Sequence, residues 1–295
     1  MLRSRLKLVT RDDLWRVQFA RGREEFESAF RILHDVYVSQ KFMKPDPSGL
    51  RCNIYHAFPG TQVLTVTDRG CVVGTLSIIP DSDLGFPSDG AFKRENDGFR
   101  RIGQRICELS GFAVHENYRN DFGIALKLMV WAYLYATDYM GASVLCATVD
   151  PRILDFYSAM FGFQKYGAEV RYEFAAGAPS IYIGMQCFGR EAWLREKYDS
   201  LPHEKNLYRY VQEQKEKQRV ICGSTARTSR PLMTPELLEY LFVHKTKVLP
   251  TATAMQASII MAAHGFELDF GRANLLQGEP VSLVPLDRGF EAPGV

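Results

Sequence analysis

Glu108 stands inside an otherwise apolar run, Ile106-Cys107-Glu108-Leu109-Ser110-Gly111-Phe112-Ala113-Val114, and Tyr118-Arg119-Asn120-Asp121-Phe122-Gly123-Ile124-Ala125 follows shortly. The first reads as a strand with a carboxylate at mid-length, the second as a turn that opens a helix. A carboxylate can take a proton from an amine, and the N–H groups of a helix start can hold a phosphate. In that order they suit transfer of an acyl group from a phosphopantetheine thioester to an amine. If the strand alternates, Glu108, Ser110, Phe112 and Val114 share one face. Cys107 and Leu109 then desolvate the carboxylate in part and raise its pKa towards that of a useful base. The competing reading is a buried carboxylate satisfied by a basic neighbour such as Arg105. Phe112, Ala113 and Val114 would offer backbone groups to a pantetheine arm and to a developing oxyanion, or serve as plain core strand. Arg119, Asn120, Gly123 and Ala125 would hold the phosphate, the small residues permitting close approach. The alternative there is a polar turn with Asn120 or Asp121 as helix cap.

These groups need a scaffold, and the pattern supplies one. Residues 15–20 read as a first strand, and residues 24–38 as an amphipathic helix with Phe26, Phe30, Leu33 and Tyr37 on one face. Residues 41–60, rich in Pro, Gly and Asn, read as a loop or broken helix. Two strands around Leu64–Val66 and Leu76–Ile78 are joined by an Asp68-Arg69-Gly70 turn. Residues 81–105 read as a polar insertion. Residues 122–139 predict a helix apolar nearly all round, hence one held between a sheet and something else. A buried strand at 144–149 precedes a short helix, 152–161, which Gly162 stops by adopting the left-handed cap conformation. Strands near 169–174 and 181–187 complete a mixed α/β sandwich. From about residue 190 the composition turns charged and helical, with Thr234-Pro235-Glu236 as a helix start and a further helix over 250–264. The expected organisation is a catalytic domain over 1–190 and a mostly helical extension over 191–295.

Composition narrows the class. With 295 residues, 46% hydrophobic and 24% charged, the chain can bury a sizeable core. A net charge of +2 is too mild to argue for nucleic acid. The basic N-terminus has no apolar run behind it, so no secretory signal is read there, and no stretch is long enough to cross a membrane; a cytoplasmic protein is expected. Six cysteines, widely spaced and without a Cys-x-x-Cys pair, favour buried hydrophobes over metal ligands or disulfides, and the histidines, His34 and His115 included, show no metal spacing. No metal site and no permanently bound cofactor are expected.

The order of elements resembles the GNAT acyltransferase fold, with marks at the Glu108 strand, at residues 119–125 and at Asp150-Pro151-Arg152-Ile153-Leu154-Asp155-Phe156-Tyr157 running to Phe161-Gly162-Phe163. Within it, the Glu108 strand is similar to the Glu-x-Ser-Arg-Phe-x-Val strand of acyl-homoserine-lactone synthases. Arg31-Ile32-Leu33-His34-Asp35-Val36-Tyr37 looks like the Arg-rich helix near their N-terminus. Gly74-Thr75-Leu76-Ser77 with Phe86-Pro87-Ser88-Asp89 resembles the long-chain N-acyl amino acid synthases, the family nearest in pattern. The departures are Gly111 where the lactone synthases have Arg, Leu33 at a position often Arg, and Asn120 opening a turn that usually opens with Arg or Gln. Asp121 inside that turn opposes a pyrophosphate, which favours the single phosphate of a carrier protein over coenzyme A.

The resemblance implies a mixed sheet with parted strands flanked by helices, and a cleft that admits a thioester between the strands at position 108. It implies that Tyr157 protonates the departing thiolate, against a core-aromatic reading. Arg31 would receive the carboxylate of an amino acid acceptor, since guanidinium pairs bidentately with carboxylate, with Ser110 beside it. Lys93, Arg94, Arg100, Arg101 and Arg105 would dock an acidic acyl carrier protein, or form a solvated loop. Phe112, Met129, Trp131, Tyr135 and Met160 would line a channel for the acyl chain. The expected activity is amide formation between a long-chain acyl group, carried on phosphopantetheine, and an amino acid. Peripheral membrane contact would come only through the lipid product. The alternatives are an acetyl-coenzyme A-dependent N-acetyltransferase of a small amine or peptide, and a non-catalytic acyl- or carrier-protein-binding module.

Overall fold

The computed structural model describes residues 15–119, 121–225, 232–267 and 284–285. Its centre is a seven-stranded sheet built from β1 (Trp15–Phe19), β2 (Gln62–Asp68), β3 (Cys71–Pro80), β4 (Ile106–Val114), β5 (Val144–Val149), β6 (Gln164–Tyr172) and β7 (Ala178–Gln186). The order across the sheet is β1-β2-β3-β4-β5-β7-β6. Every neighbouring pair is antiparallel except β4 and β5, which run parallel. A parallel pair needs a long crossover, and α4 (Phe122–Asp138) supplies it.

The helix α1 (Arg23–Ser39) forms because Phe26, Phe30 and Leu33 fall on one face, with Glu24 and Glu25 in the first turn where the helix dipole favours acids. That face packs on the sheet near β2, β3 and β4. The opposite sheet face carries α4, whose Leu126, Leu128, Val130, Trp131 and Leu134 are all buried. Its outer side is covered by α7 (Leu207–Thr225): the Trp131 indole N–H donates to Gln214 at 2.9 Å, and Gln218 donates to the Trp131 carbonyl at 2.9 Å. Leu194 and Tyr198 of α6 (Arg190–Tyr198) join the same apolar cluster. Farther on, α8 (Pro235–Glu239), started by Thr234, continues into a π-helical turn whose Leu241 and Phe242 pack with Phe26 and Phe30. Ile260 of α9 (Ala254–Ala263) completes that second cluster. The helices after residue 190 therefore share both cores with the sheet.

The stretch read as a polar insertion holds a helix, α3 (Asp89–Arg101). Only Phe92 and Phe99 mark its apolar side, too few to show as a period, yet they bury with Ile79, Phe86 and Ile106 over the end of β4. The short α5 (Leu154–Phe161) ends at Gly162, whose φ of 73° is the left-handed cap the sequence predicted. Among the described residues no helix is long and apolar enough to cross a membrane, and no His/Cys/Asp/Glu group could hold a metal ion.

Candidate active site between parted strands

β4 and β5 lie side by side only from Ile106 opposite Val144 to Glu108 opposite Cys146. Beyond that point β3 keeps β4 as far as Val114, while β7 keeps β5 as far as Val149. The two halves of the sheet part at Glu108. A cavity opens in the wedge, walled by Ser110, Gly111 and Phe112 on one side and by Ala147, Thr148 and Val149 on the other, with Glu108 where they meet. Tyr157 and Met129 also line it, as do Tyr37, Arg51, His56, Tyr172 and Phe174.

The alternation expected along β4 fails at Gly111. Ser77 and Thr75, two residues apart on β3, face Ser110 and Ala113, three apart on β4, so one residue is extra. Gly111 takes up the excess with φ 60°, and a Cβ there would press within 3.3 Å of Leu33 and of the Ser77 hydroxyl. The bulge reverses the faces. Ala113 buries against Ile32 and Leu33, whereas Phe112 and Val114 pack with the cluster that contains Cys107 and Leu109. Glu108 and Ser110 therefore do not share a face with Phe112 and Val114. Ser110, Gly111 and Phe112 reach the cavity.

Glu108 is buried, yet no basic residue pairs with it among the described residues. Its Oε2 accepts from the Ser88 hydroxyl at 2.6 Å and the Ser88 backbone N–H at 3.1 Å. The Ser88 oxygen accepts in turn from the Asn96 amide at 2.9 Å, and the Asn96 carbonyl accepts from the Tyr182 hydroxyl at 2.5 Å. Desolvation dominates and pushes the Glu108 pKa up from 4.5 to about 7; the Ser88 bonds oppose the rise without cancelling it. The carboxylate therefore titrates near neutrality, where a general base works best.

His56 faces the same space. Its Nδ1 accepts the Asn53 backbone N–H at 3.2 Å, which leaves Nε2 to donate to the Ser77 hydroxyl at 3.1 Å. Burial first, and then the charge of Arg51, lower its pKa to about 3, so it is a neutral imidazole across the working range. Tyr157 is buried among Phe156 and Phe163, and burial raises its phenol to about 12. The Thr148 hydroxyl oxygen is buried without a hydrogen-bond partner among the described residues, and the residue is one of those around the cavity.

Several expected roles do not survive the geometry. Arg31 does not line the cavity; its side chain is 54% exposed and its nearest acid is Glu27 at 3.9 Å. The guanidinium that does enter the cavity is Arg51. Arg100 is no free docking charge, since Asp81, Asp89 and Asp97 engage it at 2.8–3.1 Å. Lys93 is paired with Asp97 at 2.8 Å. Arg94, Arg101 and Arg105 remain exposed. Among the expected chain-lining residues only Phe112 and Met129 reach the cavity; Trp131, Tyr135 and Met160 are filled core or its edge.

At the start of α4 the turn has capped itself. Asp121 accepts the Gly123 N–H at 3.1 Å, and Arg119 is turned away to the Ser39 hydroxyl at 2.9 Å. Asn120 lies outside the described residues. Arg51, His56, Ser88 and Thr148 were not read as site residues. Asn53 three residues before His56 is a capping-box spacing that a search for short helices could have found. Arg51 has no comparable signal.

A family model described as N-acyl amino acid synthase FeeM matches residues 28–186. Among solved structures, FeeM, an N-acyl amino acid synthase from uncultured soil microbes, is similar with TM-score 0.53 at 24% identity, covering 60% of this chain and 93% of that one. That likeness bears out the fold expected from the sequence. The CoA-dependent acyl-homoserine lactone synthase MesI gives TM-score 0.46 at 16% identity over 64% and 98% of the two chains. An acetyltransferase of the GNAT family from Streptococcus pneumoniae gives 0.41 at 14% over 58% and 99%. No curated protein sequence matches.

Proposed function

The chain belongs to the N-acyl amino acid synthase FeeM family, and from that premise we propose that it joins a long-chain acyl group, delivered as a phosphopantetheine thioester on an acyl carrier protein, to the amine of an amino acid. The observation that carries the reading is the parting of β4 from β5 at a carboxylate whose pKa is about 7. An acceptor amine is an ammonium ion at neutral pH and must lose a proton before it can attack. Glu108, partly ionised there, takes that proton. The free amine adds to the thioester carbonyl, forming the C–N bond and a tetrahedral oxyanion. Those backbone N–H groups of β4 around residues 112–114 that do not pair with β3 receive the oxyanion. Glu108, having released the first proton to solvent, takes the second proton that the adduct nitrogen still carries, and collapse re-forms the carbonyl and breaks the C–S bond.

The proton on the departing sulfur comes most easily from Glu108. A thiol has a pKa of about 8.5, so a carboxylic acid at about 7 delivers its proton downhill. Tyr157, at about 12, would deliver it uphill. Its part is a hydrogen bond to the sulfur rather than surrender of its proton, which narrows the role expected from the sequence.

Two features support a carrier protein over coenzyme A. Asp121 places a carboxylate at the start of α4, which a pyrophosphate would meet as a like charge. Arg94, Arg101 and Arg105 leave an exposed basic surface near α3 for an acidic partner. Action in the cytoplasm, with membrane contact only through the lipid product, completes the reading.

The test is incubation of the purified protein with palmitoyl carrier protein, palmitoyl-coenzyme A or acetyl-coenzyme A and the twenty proteinogenic amino acids, with amide products identified by mass spectrometry. Palmitoyl amino acid formed fastest from the carrier protein is the expected result. Turnover with acetyl-coenzyme A alone would replace the reading with a small-group N-acetyltransferase. No amide from any donor would leave the binding-module reading.

A further inference from the structure

Three charged residues line the cavity: Glu108, Arg51 and Asp150, the last paired with Arg152. Arg51 belongs to the connection between α1 and β2, and the aromatic rings of Tyr37 and Phe174 lie beside it. Three fastenings preset Arg51. Its backbone N–H donates to the Phe30 carbonyl of α1 at 3.0 Å. Its guanidinium lies 4.2 Å from the Tyr37 ring centre and donates to the Phe174 carbonyl at 2.8 Å. The guanidinium also meets the Tyr37 hydroxyl and the Met43 sulfur, the latter 3.5 Å away and a weak acceptor. No carboxylate lies within ion-pair distance of it among the described residues. A half-buried guanidinium with five donors, stacked in place and lacking an anionic partner, is a receptor for a planar anion.

We infer that Arg51 receives the α-carboxylate of the acceptor, so that an amino acid spans the cavity with its carboxylate on Arg51 and its amine towards Glu108. The inference rests on the amino acid acylation proposed above and deepens it by naming the residue that selects amino acids from other amines. The role expected of Arg31 passes to Arg51. The charge pattern explains the selection: a carboxamide or a decarboxylated amine leaves the Arg51 cation without its counter-charge. His56 fits the same division, since a neutral imidazole adds no second cation and no competing anion beside Arg51 and Glu108. The aromatic surround also lowers the Arg51 pKa by desolvation, which makes an entering anion more favourable still.

The experiment compares wild type with Arg51→Gln and Arg51→Lys, using palmitoyl carrier protein and each of the twenty amino acids beside its carboxamide. Binding of the same free amino acids and carboxamides, without any acyl donor, is followed by calorimetry. Wild type should prefer acid over amide, and Arg51→Gln should lose that preference by about ten- to one hundred-fold, chiefly through KM. Arg51→Lys should recover part of it, because the charge stays and the fork is lost. Turnover of the free amino acids should fall several-fold more than turnover of the carboxamides, which separates carboxylate reading from a structural role through Phe174. Equal losses for acid and amide, or a preference untouched in Arg51→Gln, would overturn the inference and leave the acylation standing. A wild type that makes no amide but binds amino acids in an Arg51-dependent way would overturn the acylation alone. Absence of both would overturn both.

Discussion

Replacing Glu108 by Gln should make the protein more stable and less active at once, and the first effect should depend on pH. The carboxyl sits at about 7 in the folded chain against 4.5 for an ordinary glutamate. Folding therefore raises its proton affinity. Below about pH 4.5 the group is neutral in both states and nothing is lost; between about 4.5 and 7 only the unfolded chain gives up the proton, so stability falls across that window and levels off above it. A displacement of that size corresponds to about 3 kcal/mol. The group is fully enclosed, so solvent screening does not reduce the figure. Gln keeps an oxygen that can accept from Ser88 and never ionises. The variant should match wild type near pH 4.5 and exceed it by about 2–3 kcal/mol at pH 8, roughly 5–10 °C in Tm. Its acyl transfer should fall by about 10²–10⁴, the usual worth of a general base. Thermal unfolding at a series of pH values, with histidines common to both proteins cancelling in the difference, reads the first effect. Steady-state amide formation reads the second. A variant no more stable at pH 8 than wild type, or more stable by the same margin at every pH, would refute the assignment of a near-neutral carboxylate. A variant more stable but fully active would refute its role as base.

Ser88→Ala removes the hydroxyl that favours ionised Glu108 and leaves the backbone N–H, so the rising limb of the pH–rate profile should move to higher pH by about one unit, the worth of one charge-assisted hydrogen bond; an unmoved limb would show that another group sets it. Thr148→Val removes a buried hydroxyl with no partner among the described residues, so unfolding should become about 1 kcal/mol harder while kcat/KM falls about tenfold through the hydrogen bond that an entering substrate would have satisfied. Unchanged turnover in that variant would make the hydroxyl a packing flaw rather than a substrate contact. A chain ended after Gly189 should yield no folded monomer by circular dichroism and gel filtration, because it strips Gln214, Gln218, Leu194 and Tyr198 from the outer side of α4. A cooperative, monomeric fragment would show that the sheet and α4 suffice.

What the sequence made legible was whatever depends on short spacing. The Phe26–Phe30–Leu33 stripe of α1, the all-apolar α4, the Gly162 stop and the Thr234 cap each rest on neighbours no more than four residues apart, and each stands where the sequence places it. The position of Glu108 at a strand parting was implied by the resemblance to the GNAT fold. Two kinds of information escaped. One is parity: a single extra residue at Gly111 reverses every later face on β4, and no composition rule announces which glycine in a strand will bulge. The other is pairing across distance. Arg51 meets the Phe174 carbonyl over 123 residues, and Ser88 meets Glu108 over 20, both from stretches read as loop or insertion.

The same division explains why the acid was found and its environment was not. An acid inside an apolar strand is conspicuous because burial costs a charge dearly, so it asks for a reason wherever it occurs. The groups that make it useful are ordinary by type: a serine at the head of a helix, an asparagine behind it, a tyrosine hydroxyl at the end of the relay. None is unusual for its own position, and none lies on the strand. Arg51 behaves likewise, being one of many arginines until the fold lays Tyr37 beneath it with no carboxylate in ion-pair reach among the described residues. With Arg51 reading the acceptor as proposed, selectivity is set by loops fastened to a rigid frame. Variants of the 41–60 segment should change which amine is accepted, whereas variants at the β4–β5 parting should change whether any is acylated.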